Sequence, residues 1–358
     1  MKKLYILFIL SLITNFVFAQ LTYVPDNNFE LALIDRGYDD ILDDYVLTDN
    51  INSLTELFIG DEGITDLTGI EDFSALHVLI CYYNYLTVLD VSQNSNLLEL
   101  RCYHNQLANL ILPENSNLEV LDCDDNHLAS INVSTAFNLE ELYVDDNELT
   151  SIDVFSNTEL RKLGIAYNQI DVLDVSNNPD LWLLYASVNQ ISYLDFSNNT
   201  LLSHLLCNNN QLEHLNVKNG NNVNFTSFKV TNNPSLTCIQ VDNEVWAEEN
   251  WRDFVDPQVI FSNDCQTVYI PKLSSLSIEM FPNPFTTSTA LSYELKQLST
   301  VQFSVFNQLG QIVYLHTEEQ AQGSQQLQWK AENKPDGLYY YRLQAGEQVA
   351  NGKIVKVK

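Results

Sequence analysis

Cysteines, histidines and paired carboxylates are the side chains that could ligate a metal, attack a carbonyl or relay a proton, so their spacing comes first. The six histidines form no H-E-x-x-H pair, and no G-x-S-x-G, phosphate loop or dinucleotide fingerprint occurs in the 358 residues. Acidic residues number 47 against 17 Lys and Arg, a formal net charge of −30. At that density paired acids carry no signal of glycoside hydrolysis. The field of such a chain repels nucleic-acid phosphates and anionic lipid, which leaves cations, neutral glycans and basic proteins as partners. The residues thus point away from an enzyme and call for no cofactor and no metal.

The cysteines are ordered. Cys81, Cys102 and Cys123 lie 21 residues apart, and Cys207 falls four such periods after Cys123. The same place is taken elsewhere by Val144, Ile165, Ala186 and Val230, so the position faces inward. Stacked chains run about 4.8 Å apart with parallel Cβ vectors, slightly beyond the usual Cβ separation in a disulfide. These four read as buried thiols in preference to a bridge or a metal set. Cys238 and Cys265 follow the last regular unit and are expected to staple a C-terminal cap, contributing roughly 3 to 4 kcal/mol through loop-closure entropy.

An asparagine repeats in step with them: Asn84, Asn105, Asn126, Asn147, Asn168, Asn189 and Asn210, each 21 from the last. Glu62 holds the place upstream, and Asn233 resumes it after a two-residue insertion, which makes about nine units. A unit reads L-x-x-L-x-[C/V/I/A]-x-x-N-x-[L/I]-x-x-[L/I]-[D/N]-V-S-x-N-x-x and holds two short alternating segments, such as Leu100-x-Cys102 and Leu173-x-Val175. Period-two alternation in a fixed repeat predicts a solenoid whose coils bury one strand face against their neighbours. The chain must turn sharply after the first strand, so the asparagine is read as a structural residue whose amide bonds backbone groups there.

"L-x-x-L-x-C-x-x-N-x-L" resembles the leucine-rich repeat, and "GITDLTGIEDFSALHVL" at 63–79 is similar to the internalin-like bacterial subclass. The resemblance covers roughly residues 54–240. One departure is the second strand-like "LDVS" in each unit, where many such repeats carry a helix, so that side is expected to be extended. Residues 20–53 do not repeat. There "PDNNFELALIDRG" has a capping Asp26 or Asn27, apolar Phe29, Ala32 and Leu33 at helical spacing and Gly37 as a stop, which predicts an N-terminal cap. The following "YDDILDDY" lacks calcium-loop spacing and reads as solvated surface.

At the start, Lys2 and Lys3 precede an apolar run from Leu4 to Phe18 and small Ala19. That is the pattern of a signal peptide, residues 1–19, and the run falls short of the roughly 20 residues of a membrane-spanning helix. No later segment of the sequence could span a bilayer. Residues 241–275 are assigned to a C-terminal cap and linker. From 276 the repeat is absent, and six or seven short alternating strands suggest an Ig-like β-sandwich. This stretch also carries motifs in order: "FPNPF" with Pro282, Asn283 and Pro284, then "NQLGQ", then "DGLYYYRL" with Gly337 and Tyr339, then "GKIVKVK" with Lys353, Lys356 and the final Lys358. Together they resemble the C-terminal sorting domain of type IX secretion substrates. The resemblance implies that the type IX machinery is a partner and that the protein passes through the periplasm to the outer surface or the medium.

In each first strand the leucine and cysteine face inward, and the residues between and after them line the concave sheet. Tyr82, Tyr83, Tyr103, His104 and Tyr143 stand out there as aromatic anchors of the kind that interfaces and sugar sites favour. Asp122, Asp124 and Asp145 lie on the neighbouring coils at a spacing where like charges repel. Either a cation or a basic partner compensates them, or the surface is simply acidic throughout, and the overall charge favours the second. The acids Asp90, Asp153, Asp174 and Asp195 on the other segment belong to the repeat itself. The expectation is a mainly β, exported binding or adhesion protein for an unidentified protein or glycan. A secreted hydrolase with an unrecognised site and a structural surface or matrix component are the alternatives.

Overall fold

The computed structural model describes residues 19–114, 117–265, 278–307, 311–346 and 348–358. Residues 1–18 of the expected signal peptide lie outside the described residues. The repeats wind into a solenoid built on a nine-stranded parallel sheet that runs in coil order from Glu56–Phe58 to Ser227–Lys229. Its register aligns Leu57, Leu79, Leu100, Leu121, Leu142, Leu163, Leu184, Leu205 and Phe228 in one buried column. Full burial of each leucine stabilises the stack by about 1.5 to 3 kcal/mol, and only adjacent coils can provide it. Cys81, Cys102, Cys123 and Cys207 form the next inward column, fully buried and unbridged.

Immediately after the strand the backbone turns through the left-handed region. Asp61, Tyr83, His104, Asp125, Asp146, Tyr167, Val188, Asn209 and Asn232 all have φ between 49° and 61°. That conformation costs L-residues roughly 1 to 2 kcal/mol and is least tolerable for β-branched Val188. The ladder asparagine sits at the next position and holds the turn. Asn147 Oδ1 accepts from Leu128 N at 2.9 Å, while Nδ2 donates to Cys123 O at 3.0 Å and Val144 O at 3.3 Å. The first two partners belong to the preceding coil and the third to its own. Asn84, Asn105, Asn126, Asn168, Asn189 and Asn210 repeat the same clasp.

The opposite side, expected to be extended, pairs as strands only in part. It pairs Val88–Asp90 with Asn109–Ile111, and Tyr193–Asp195, His214–Asn216, Cys238–Gln240 and Ile260–Ser262 with one another. The coils between carry no strand there among the described residues. Asn157, Asn178 and Asn199, all fully buried, donate instead to the carbonyls of Val133, Val154 and Val175 on the preceding coil. Side-chain amides thus replace strand pairing. The Asp90, Asp174 and Asp195 carboxylates accept from the backbone N–H two residues on, the Asx turn that makes an acid part of the repeat.

At the N-terminal end Leu21–Tyr23 pairs antiparallel with Tyr45–Leu47, and helix Asn27–Asp35 is capped by Asp26, whose carboxylate accepts from Asn28 N and Phe29 N. Phe29, Ala32 and Leu33 of that helix join the solenoid core. At the other end helix Glu244–Trp251 places Trp251 flat on Phe228, centroids 4.0 Å apart, over the last coil of the sheet. Cys238 and Cys265 are bridged, with Cα atoms 5.9 Å apart.

Residues 278 onward form two antiparallel sheets around their own core of Phe285, Leu291, Phe303, Trp329, Leu343 and Ile354. One sheet orders Glu279–Phe281, Ser288–Leu295 and Gly323–Lys330; the other orders Ile312–Gln320, Ser299–Phe306, Gly337–Ala345 and Gln348–Lys356. This is a small β-sandwich.

Replacing Asn147 with Ala should lower solenoid stability by about 1 to 3 kcal/mol, because its buried backbone partners lose the amide. Denaturant unfolding of the variant measures this, and an unchanged midpoint would show that the clasp is dispensable.

Candidate functional site

The outward surface of the nine-stranded sheet carries the residues singled out in the sequence. Tyr82 and Tyr103 occupy one column on adjacent coils, with rings stacked at 4.7 Å and 16°. Tyr83 and His104, each at the left-handed turn position, stack beside them at 4.3 Å and 17°. Edge-on contacts of 5.5 to 5.7 Å join the two stacks, so four rings form one surface. The strained turn throws the second pair out, and Tyr83 is half exposed. Gly60, one coil upstream, makes room for the first pair, since a Cβ there would stand 2.7 Å from the Tyr82 ring. His104 Nδ1 also meets the Asp125 carboxylate.

Tyr143 is set apart from this cluster. Its hydroxyl donates to Glu141 Oε2 at 3.3 Å, and burial with the neighbouring Glu141 charge pushes its pKa up. Glu141 in turn pairs with Lys162 at 2.8 Å.

The carboxylates have structural partners. Asp122 lies 3.5 Å from the Arg101 guanidinium. Asp124 Oδ1 accepts from Asp145 N at 2.6 Å, and Asp145 Oδ1 accepts from Ala166 N on the following coil. Gly164 leaves space for this, since a Cβ there would meet Asp145 Oδ2 at 2.6 Å. Burial first, then the facing Asp145 and Asp122 charges, raises Asp124 to about 8; burial raises Asp145 to about 7 despite its backbone bond. Burial also raises Asp122. Among the described residues no group of three or more His, Cys, Asp or Glu could hold a metal ion. As a candidate cation set, Asp122, Asp124 and Asp145 therefore find no support in the geometry: two of the three are acceptors for backbone N–H groups. The thiol column is closed to chemistry too, because burial pushes Cys81 up to about 12 and Cys102 and Cys123 well above the usual thiol range.

In the sandwich, separate sequence motifs converge on the last strand. Asn283 Nδ2 donates to Lys353 O at 2.9 Å and its Oδ1 accepts from Val355 N at 2.8 Å. Phe285 N donates to Val355 O, and Val357 N to Phe285 O. Pro282 and Pro284 flank the clasp, with Pro282 O accepting from Thr289 Oγ1 at 2.7 Å. Lys356 Nζ pairs with Asp336 at 2.8 Å, one residue before Gly337, whose φ of 153° suits glycine. Tyr339 Oη donates to Pro335 O at 2.6 Å, and Lys353 Nζ stands 5.9 Å from the Tyr340 ring centre. Lys358 is exposed at the end. Of "NQLGQ", residues 308–310 lie outside the described residues.

Residues 279–358 match the family model of the secretion system C-terminal sorting domain. Internalin J of Listeria monocytogenes is 37% identical over 73 residues, which are 20% of this chain and 8% of that protein. A solved functional domain of InlJ from the same organism, described as including a cysteine ladder, is similar at a TM-score of 0.55 and 32% identity. That match covers 62% of this chain and 52% of the other, so the chain spans about half of that domain's length. A further solved internalin of this organism, inlF, gives a TM-score of 0.41 at 19% identity, covering 67% of this chain and 91% of that one. The repeats are internalin-like leucine-rich repeats followed by a sorting domain. The chain is mainly β, and no helix of the described residues is long and apolar enough to cross a membrane.

Two features of the leucine-rich repeats escape a reading of the sequence face alone. The second asparagine column, Asn94, Asn157, Asn178 and Asn199, is visible in the repeat formula but holds the opposite side only once coils are stacked. Gly60 and Gly164 interrupt strand columns, and the large neighbours that exploit them lie on adjacent coils.

Raised Asp124 and Asp145 values mean that the folded solenoid holds protons the unfolded chain releases near pH 4. The stability this contributes is complete below about pH 4 and is lost as pH rises through 7 to 8. Asp124→Asn, which keeps an acceptor for Asp145 N, should therefore flatten the fall in melting temperature between pH 5 and 8.5 and raise it at pH 8.5. An unaltered pH profile in the variant would contradict this.

Proposed function

We propose that the protein is a secreted or cell-surface binding and adhesion protein that recognises a protein or glycan through Tyr82, Tyr83, Tyr103 and His104. The four-ring surface carries this reading. Aromatic rings present large, rigid, half-polar area at low entropic cost, and a sheet that fixes them on successive coils preorganises the surface. Two stacked pairs at edge-on angles offer both ring faces and ring edges to a ligand. Tyr143 and the acidic coils beside it would border the patch and favour a neutral or basic partner. The likeness to internalin-type repeats supports a non-enzymatic role. The fold itself is compatible with a secreted hydrolase, and turnover of polysaccharides by the purified repeats would replace the binding reading.

Delivery would follow two addresses: an N-terminal signal for the inner membrane and the sorting domain for the type IX machinery. The sandwich supports a role for Pro282, Asn283, Pro284, Gly337, Tyr339, Lys353, Lys356 and Lys358 as one unit, because the Asn283 clasp and the Lys356–Asp336 pair tie the motifs to the terminal strand.

Tyr82→Ala with Tyr103→Ala should weaken the strongest interaction found in a glycan and protein binding screen by tenfold or more while leaving the melting temperature within a few degrees. Equal affinity in the double variant would place the site elsewhere.

A chain ending at Asn351 lacks the part of the strand Gln348–Lys356 that Asn283 clasps. In the native host it should accumulate in the periplasm with folded repeats, while the full chain reaches the surface or medium. Full export of the shortened chain would refute the assignment of the terminal strand.

A further inference from the structure

At the edge of the solenoid, where the chain enters the nine-stranded sheet, lies a cavity of about 340 Å³ that the aromatic patch does not share. It is lined by Glu140, Glu159, Arg161, Asp180, Trp182 and Leu201. These fall in two rows at the 21-residue period: Glu140, Arg161 and Trp182 just before the strands, and Glu159, Asp180 and Leu201 two residues earlier, each row one coil apart. They span four coils, roughly 14 Å from three steps of about 4.8 Å. The groove is therefore elongated, with an apolar end at Trp182 and Leu201 and a charged end at Glu140 and Arg161.

Its charges are unbalanced. Arg161 is committed to Glu140 at 3.1 Å, and Glu159 and Asp180 have no ion pair among the described residues. The Trp182 ring already faces a cation, since Lys162 Nζ lies 5.5 Å from its centre, and the His204 ring meets it edge-on at 6.4 Å. A ligand ammonium is therefore repelled from the indole and drawn to Glu159 and Asp180, while the indole and Leu201 take apolar surface. Aromatic rings bind the C–H faces of sugars in this way, and carboxylates and guanidinium serve the hydroxyls. The volume lies in the range that holds a small ligand.

We propose that this groove binds a glycan strand bearing free amino groups, with sugar faces on Trp182 and an ammonium between Glu159 and Asp180. A lysine-rich peptide, the other candidate of like charge, carries no sugar face for the indole and would leave the apolar end at Trp182 and Leu201 unfilled.

Titration calorimetry of the full secreted chain with glucosamine tetramer, N-acetylglucosamine tetramer, glucose tetramer and tetralysine tests it. The glucosamine tetramer should bind at least tenfold tighter than the other three. Glu159→Gln with Asp180→Asn, both at exposed positions, should remove that preference, and Trp182→Ala should weaken the glucosamine tetramer tenfold at an unchanged melting temperature. Tyr82→Ala with Tyr103→Ala should leave this binding intact, which separates the groove from the aromatic patch. No binding of the glucosamine tetramer, equal binding of the acetylated tetramer, tighter binding of tetralysine, or full affinity in the Glu159/Asp180 variant would overturn the proposal.

Discussion

The solenoid depends on one repeated hydrogen-bonding arrangement: an asparagine amide that joins its own strand end to the coil before it, next to a residue held in the left-handed conformation. Each coil is too small to fold alone, and its sharp turn stores strain. The amide offsets that strain by satisfying backbone groups that stacking buries away from water. Because Asn126 and Asn147 each reach back to the preceding coil, strain relief and coil stacking are the same event. Side chains before the asparagine are then free to vary, which is how Tyr83, His104, Asp125 and Val188 can all occupy the same strained position.

That freedom makes the outer sheet a display surface, although not every residue on it is free for a ligand. Asp124 and Asp145 read in the sequence as part of an acidic surface, yet each accepts a backbone N–H from the next coil and is desolvated enough to hold a proton near neutral pH. Tyr82 and Tyr103 make no such bond among the described residues and turn outward as a stack, given room by Gly60. Burial and backbone partners, more than residue type, separate the structural acids from the partly exposed rings.

The ends solve a different problem, since a stack of coils leaves apolar surface open at both. Phe29 and Leu33 enter the core at one end, and Trp251 covers Phe228 at the other. The sandwich has a core of its own and closes by a clasp between Asn283 and the terminal strand, separated by about 70 residues of chain. Motifs far apart in the sequence, around Asn283, Gly337 and Lys356, meet at the terminal strand.

The period of 21, the inward cysteine column, the asparagine role and the order of the sorting motifs were legible in the sequence because each is a local pattern repeated or spaced along the chain. Inward and outward faces follow from alternation, and a fixed interval requires equivalent environments. What the sequence left open depends on lateral neighbours one coil away. Which carboxylates bond backbone, which glycines admit a ring, where amides replace strand pairing and where Arg161 and Trp182 border one groove are all settled across a spacing of about 4.8 Å between residues one coil apart. The period names those neighbours, but only the packed coils determine which side chain takes the shared space, because desolvation and hydrogen bonding act through distance and not through sequence order.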